Sequence, residues 1–281
     1  MARFVRALQM VALGSLTLTL PFPALAQNQT CADMEDFLLN GQIGAQHGIP
    51  VGVTLPRRAT LEYKGTQHDA AIQTIDVFKE KRQTTHGIEM NFRDSWKYNV
   101  AGYELAKMLE LNMVPPYVER SVNGQKAALS WWVNDTITDA DRVEQNKEPP
   151  DLESWNKQML ATEVFHQLIY DTDANRTNLL VTNDWQVWMI DFTRAFRTNK
   201  NLQEPKNLVR CDRKLLAKVR TLDKDILKEK LSRWLTGFEI DGLAGRARKM
   251  AEHFDKEIAA KGEAAVLYDL QRTSQACGAG L

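Results

Sequence analysis

The residues most able to do chemistry fall in one stretch of the chain. Asp173 and Asn178 stand five positions apart, and Asp191 follows thirteen positions after Asn178 within Ile190-Asp191-Phe192. Phosphoryl transfer from ATP needs groups of these types in this order. One carboxylate takes the proton of an acceptor hydroxyl, while an amide oxygen and another carboxylate hold divalent metals on the phosphates. Five residues carry the chain from the acceptor side to the metal side of a cleft, and a hairpin brings the second aspartate back beside the asparagine. Each residue also has a plain reading. Asp173 and Asn175 are turn formers, Asn178 can end a loop, and Asp191 can terminate a strand. Placement favours the chemical reading, because a helix, a polar loop and a hairpin surround these residues in the order the chemistry requires.

Those elements are legible in the pattern. Residues 152–170 form an amphipathic helix with Met159, Leu160, Val164 and Leu168 on its buried side, opened after Pro149-Pro150. A polar loop over 171–177 leads into two short strands, 179–181 and 186–190, around Thr182-Asn183-Asp184. Upstream, 51–54, 59–63 and 70–77 are β-prone runs broken by Pro56 and Lys64-Gly65. A helix is predicted over 95–111, with Asp94 or Ser95 as N-cap and Val114-Pro115-Pro116 as its end. Asn123-Gly124 between 117–122 and 126–133 is a hairpin signal. A short helix is expected over 32–43, and helices over 213–220, 224–235 and from 239 to near Gly262. The fold class is therefore α+β: a small antiparallel sheet with one helix, then a mainly helical half.

Composition bounds the rest. The 281 residues are 43% hydrophobic and 26% charged, which is ordinary for a globular chain. Residues 1–26 read as an export signal: Arg3 and Arg6, a short apolar run, then Ala24-Leu25-Ala26. That run is too short and interrupted for a membrane span, which needs roughly 20 apolar residues. The mature chain is expected to be exported, periplasmic or secreted, with no transmembrane segment. Lys and Arg number 36 against 36 Asp and Glu, and loss of Arg3 and Arg6 leaves the mature chain slightly acidic. Bulk charge thus nominates no nucleic-acid partner. Of Cys31, Cys211 and Cys277, two can form one disulfide in an oxidising compartment. Which two is not legible, although Cys31 and Cys277 lie near opposite ends.

The run from Asp173 to Asn178 with Ile190-Asp191-Phe192 resembles the catalytic and metal motifs of the atypical kinases, a group that includes the phosphatidylinositol 3- and 4-kinases, the HipA toxins and the Golgi secretory-pathway casein kinases. Residues 99–111 and 114–120 are similar to the N-lobe helix and following strand of the last group. Arg194-Ala195-Phe196 resembles the tail of its metal motif. The resemblance covers about residues 51–200. It implies a two-lobed protein-kinase-like fold with an extension at 27–50, an N-lobe at 51–134 and a C-lobe at 135–281. It implies Asp173 as catalytic base, Asn178 and Asp191 as metal ligands, ATP with Mg or Mn as cofactor, and an unidentified hydroxyl-bearing acceptor.

Two departures weigh on activity. The register puts Gln73 where the secretory kinases place a phosphate-binding lysine, and Asn99 where its glutamate partner falls. Two accounts follow. In one, Lys79, Lys81 or Arg57 reaches the phosphates and Glu104 assumes the pairing role, with Trp132 stacking the adenine. In the other, the domain has lost phosphoryl transfer and keeps a nucleotide or partner site.

Overall fold

The computed structural model describes residues 30–49, 56–84 and 87–271. The predicted signal, the strand expected at 51–54 and Cys277 lie outside them. The sheet-rich half begins at helix α1 (Cys31–Asn40), opened by a capping box in which Thr30 and Asp33 exchange hydrogen bonds. Strands β1 (Gln42–Gly48), β2 (Arg57–Tyr63) and β3 (Thr66–Gln73) follow. A separate hairpin, β4 (Asp76–Thr84) and β5 (Gly87–Ser95), precedes helix α2 (Trp96–Met108). Strands β6 (Tyr117–Val122) and β7 (Gln125–Trp131) complete a five-stranded sheet in the order β1-β2-β3-β7-β6, all neighbours antiparallel. Residues 42–48, set apart in the sequence as part of an extension, are thus an edge strand of this sheet.

The second half opens with β8 (Thr136–Thr138) and α3 (Asp139–Glu144), both short and set in a polar stretch. The long helix α4 (Leu152–Ile169) is capped by Asp151, whose carboxylate accepts from the backbones of Glu153 and Ser154. The hairpin β9 (Leu179–Thr182) and β10 (Val187–Met189) pairs with β8. Then come β11 (Cys211–Asp212), α5 (Arg213–Arg220), α6 (Lys224–Leu231), α7 (Gly237–Lys261), α8 (Glu263–Val266) and β12 (Leu267–Tyr268). The layout is α+β, an antiparallel sheet with its helices followed by a mainly helical half, as the sequence predicts.

Two hydrophobic clusters fill the molecule. The smaller packs Phe37 and Leu38 of α1 against Leu61, Ile72, Val118 and Leu129 on one face of the sheet. The larger runs from α2 and Tyr117 through α4 into α5, α6 and α7, so α2 shares its core with the helical half. Among the described residues no helix is long and apolar enough to cross a membrane. Cys31 is disulfide-bonded, and Cys211 is a buried free thiol.

Candidate active site

The three motif residues lie where the halves meet. Helix α4 ends at Tyr170 in a left-handed conformation (φ 53°), which turns the chain into the loop carrying Asp171 and Asp173. Asn178 closes this loop: its Nδ2 donates to the Asp173 carbonyl at 3.2 Å. The Ile190 backbone N–H donates to the Asn178 carbonyl at 3.0 Å, which seats the metal-type motif against the loop. Gln158 of α4 fixes the intervening hairpin, accepting from the Val187 N–H (2.8 Å) and donating to the Trp185 carbonyl (3.0 Å). Asp191 is left-handed (φ 59°), a conformation aspartate tolerates better than most residues. Asp173, Asn178 and Asp191 are therefore brought together.

Gln73 and Asn99 are in contact as well. The Asn99 amide donates to the Gln73 side-chain oxygen, and the Gln73 amide donates to Asp191 Oδ1 at 3.2 Å. The Asn99 oxygen accepts from the Phe192 N–H at 2.6 Å. A chain of neutral amides thus stands where the resemblance calls for a lysine–glutamate pair. It ties strand β3, helix α2 and the carboxylate of Asp191 into one network. The substitute pair of Lys79 or Lys81 with Glu104 is not formed. Both lysines are exposed on β4, outside the five-stranded sheet that carries Gln73. Glu104 is held by Lys107 at 3.0 Å, and Lys107 also binds Glu35 of α1 at 2.9 Å. The expected cation Arg57 is exposed, with Nη1 on Gln46 at 3.5 Å. Trp132 leaves the sheet just after β7, half-buried, its ring covered by the Arg58 guanidinium at 4.3 Å.

Several groups in the site carry no motif signal. Asp94, seen in the sequence only as a possible cap, is buried, and its Oδ1 has no hydrogen-bond partner. Burial raises its pKa, and its charge in turn helps burial raise that of Asp191. Asp171 is buried and accepts from the Asp173 N–H at 2.9 Å. Loss of water pushes its pKa up to about 7, and the neighbouring charge of Asp173 adds to the shift. Arg194 holds Asp173 at 3.2 Å and Glu89 of β5 at 3.0 Å. Arg197 joins Glu89 at 2.7 Å and Thr172 at 3.2 Å. Glu89 lies in a stretch, 78–94, whose sequence carries no clear strand pattern.

The donor set fits a hard divalent cation. Asn178 donates through its amide nitrogen to the Asp173 carbonyl, which leaves its side-chain oxygen as an acceptor, and Asp191 adds a carboxylate that feels the charge of Asp94, whose Oδ1 is unpartnered. Among the described residues no three His, Cys, Asp or Glu side chains are grouped to hold a metal alone. Phosphate oxygens and water would complete the shell, as is usual for Mg. His166, on the buried pattern of α4, is held near neutral imidazole by burial, its pKa pushed down to about 4.

No family model and no curated protein matches the chain. Among solved structures, the Helicobacter pylori proinflammatory kinase CtkA superposes with a TM-score of 0.49 at 8% identity, over 79% of this chain and 98% of that one. A likeness this distant carries no inference about activity.

Proposed function

We propose that this chain is an exported atypical kinase that moves the terminal phosphoryl group of ATP to a hydroxyl acceptor. One observation supports the reading: the Asp173 loop is tied through Asn178 to the Ile190 backbone, next to Asp191, whose carboxylate accepts from Gln73 of the sheet. In this reading Asn178 and Asp191 hold Mg or Mn, which neutralises phosphate charge when bound. Asp173 accepts the acceptor's proton, and Arg194 keeps that carboxylate aimed. Trp132 offers an aromatic face for the adenine once Arg58 withdraws.

The test uses mature protein with ATP, Mg or Mn, and a mixed pool of hydroxyl acceptors. Asp173→Asn is expected to lower transfer by about 100-fold or more, the usual worth of a general base. Asp191→Ala is expected to abolish both turnover and the metal-dependent rise in melting temperature with ATP. Wild-type protein with no turnover above the Asp191→Ala control would remove the proposal.

The neutral pair Gln73–Asn99 favours a second reading, a kinase-like protein that binds nucleotide without transfer, since a glutamine cannot neutralise phosphate charge. A metal-dependent thermal shift with ATP and no turnover selects this reading.

A further inference from the structure

Asp94 lies at the end of strand β5, directly before Ser95, the cap of α2. It is only 8% exposed, and its Oδ1 has no hydrogen-bond partner among the described residues. The backbone on either side fixes where it stands. The Ser95 N–H donates to the Thr193 carbonyl at 2.8 Å, two residues past Asp191, and the Trp96 N–H donates to the Ile75 carbonyl at 2.7 Å. The Thr193 side chain in turn stabilises the charged form of both Asp94 and Asp191. Two carboxylates from distant parts of the chain thus flank one threonine.

Burying a carboxylate away from a counter-charge is costly, so an orphaned one in a folded chain calls for an explanation. The cations whose fields reach Asp94 are Arg194 and Arg82, and both are engaged elsewhere. Arg194 holds Glu89 at 3.0 Å and Asp173 at 3.2 Å, while the Arg82 guanidinium packs over the Phe92 ring at 4.1 Å. The group that reaches Asp191 from the sheet is the uncharged Gln73 amide. Asp173 adds a further negative charge to the field at Asp94. The fold therefore gathers carboxylates beside the metal-type motif and sets no side-chain counter-ion against Asp94 or Asp191.

We propose that Asp94 is a metal ligand that no sequence motif announces: with Asp191 it forms a two-carboxylate site that takes one divalent cation of the Mg or Mn class before any nucleotide arrives. A site of one carboxylate and one amide depends on phosphate oxygens to fill its shell, whereas a second carboxylate lets the protein hold the ion with water alone as the remaining ligand. The bound ion then brings to the cleft the positive charge that Gln73 does not carry. That last role rests on the kinase reading, while the uptake of metal is independent of it.

The experiment exploits that independence. Manganese chloride alone is titrated into mature protein without nucleotide, with calorimetry and the paramagnetic resonance of free Mn as readouts. Wild type is expected to take up the ion, and Asp94→Asn to weaken uptake about tenfold or more, since even groups that only support a ligand are worth about that much. Asp173→Asn removes a nearby charge and leaves the pair intact, so it is expected to weaken uptake far less. A metal-free melting temperature at or above that of wild type shows that Asp94→Asn is folded, and Mn raises the melting temperature of wild type well beyond that of the variant. Should wild type also turn over ATP, Asp94→Asn raises the Mn concentration needed for half the maximal rate. Asp94-dependent uptake without turnover removes the kinase reading and keeps the site. Turnover without such uptake keeps the kinase reading and overturns the site. The wild-type titration decides by itself if the variant does not fold: no uptake without nucleotide, the result for a pair that shares a proton instead, overturns the proposal. Uptake unchanged by Asp94→Asn overturns it too, as does equal weakening by Asp94→Asn and Asp173→Asn, which makes Asp94 a distant charge and not a ligand.

Discussion

Asp171 is the residue whose environment differs most from what its type prefers. It is almost wholly enclosed, two residues from the candidate base, with Arg194 and Arg197 as the nearby cations and Asp173 as the opposing charge. Its pKa lies near 7 in the folded chain and near 3.8 in the unfolded one. The folded state then binds the extra proton between those values, so the contribution of this group to stability is fullest below pH 4, falls as pH rises toward 7, and is flat above. The full effect is about 4 kcal/mol, at 1.36 kcal/mol per unit. Urea melts of wild type and Asp171→Asn at pH 5 and pH 8 check this: the wild type loses more stability across the interval than the variant. The asparagine keeps an oxygen for the Asp173 N–H and removes only the titration. Asp173, Asn178, Asp191, Gln73 and Asn99 were legible because their types and spacing follow a recognisable motif. Asp94, Asp171 and Glu89 were not, since Asp171 matters through its enclosure and Asp94 and Glu89 through residues of the distant 191–197 segment.

Helix α2 shows how an element sets a site. Ser95 caps it, Asn99 reaches the Phe192 N–H, and Gly102 lets the helix lie against the Phe192 ring. A Cβ at Gly102 would stand 2.7 Å from Phe192 Cδ2. Gly102→Ala is therefore expected to cost about 1–3 kcal/mol by overpacking, despite alanine's better helix propensity. Chemical denaturation measures the cost. Helices α2, α4 and α5 and both turn-linked hairpins, β6–β7 and β9–β10, could be read from periodicity and turn residues because each buries one clear face. The β4–β5 hairpin could not. Residues 79–83 are a run of charged and polar side chains that cover no core, and strand signals rest on alternation. In β5 the apolar residues Ile88, Met90 and Phe92 do alternate, yet the left-handed Asn91 sends the first two to water and the third inward. A single backbone conformation thus breaks the link between pattern and burial.

At the scale of the whole molecule, α2 belongs to two halves at once: it packs on β6 and β7 and shares the larger core with α4 and α7. Polar contacts reinforce that union. The Tyr98 hydroxyl donates to buried Glu239 at 2.5 Å, and Glu119 on β6 accepts from Arg233 and Trp234 across the divide. The halves are expected to unfold together, so far-UV and near-UV signals should trace one transition in urea. Tyr98→Phe should lower its midpoint by about 1–3 kcal/mol worth of stability, the cost of leaving a buried oxygen unpaired, without splitting it. Two separate transitions in the wild type would contradict this picture. The same architecture gives the Gln73–Asn99 contact a meaning of its own. Carboxamides carry no net charge to be quenched by brine and no proton to be lost or gained in ordinary acid or alkali. A lysine–glutamate bridge at this spot would slacken as the surroundings change, whereas this joint between strand and helix keeps its grip in whatever medium bathes it.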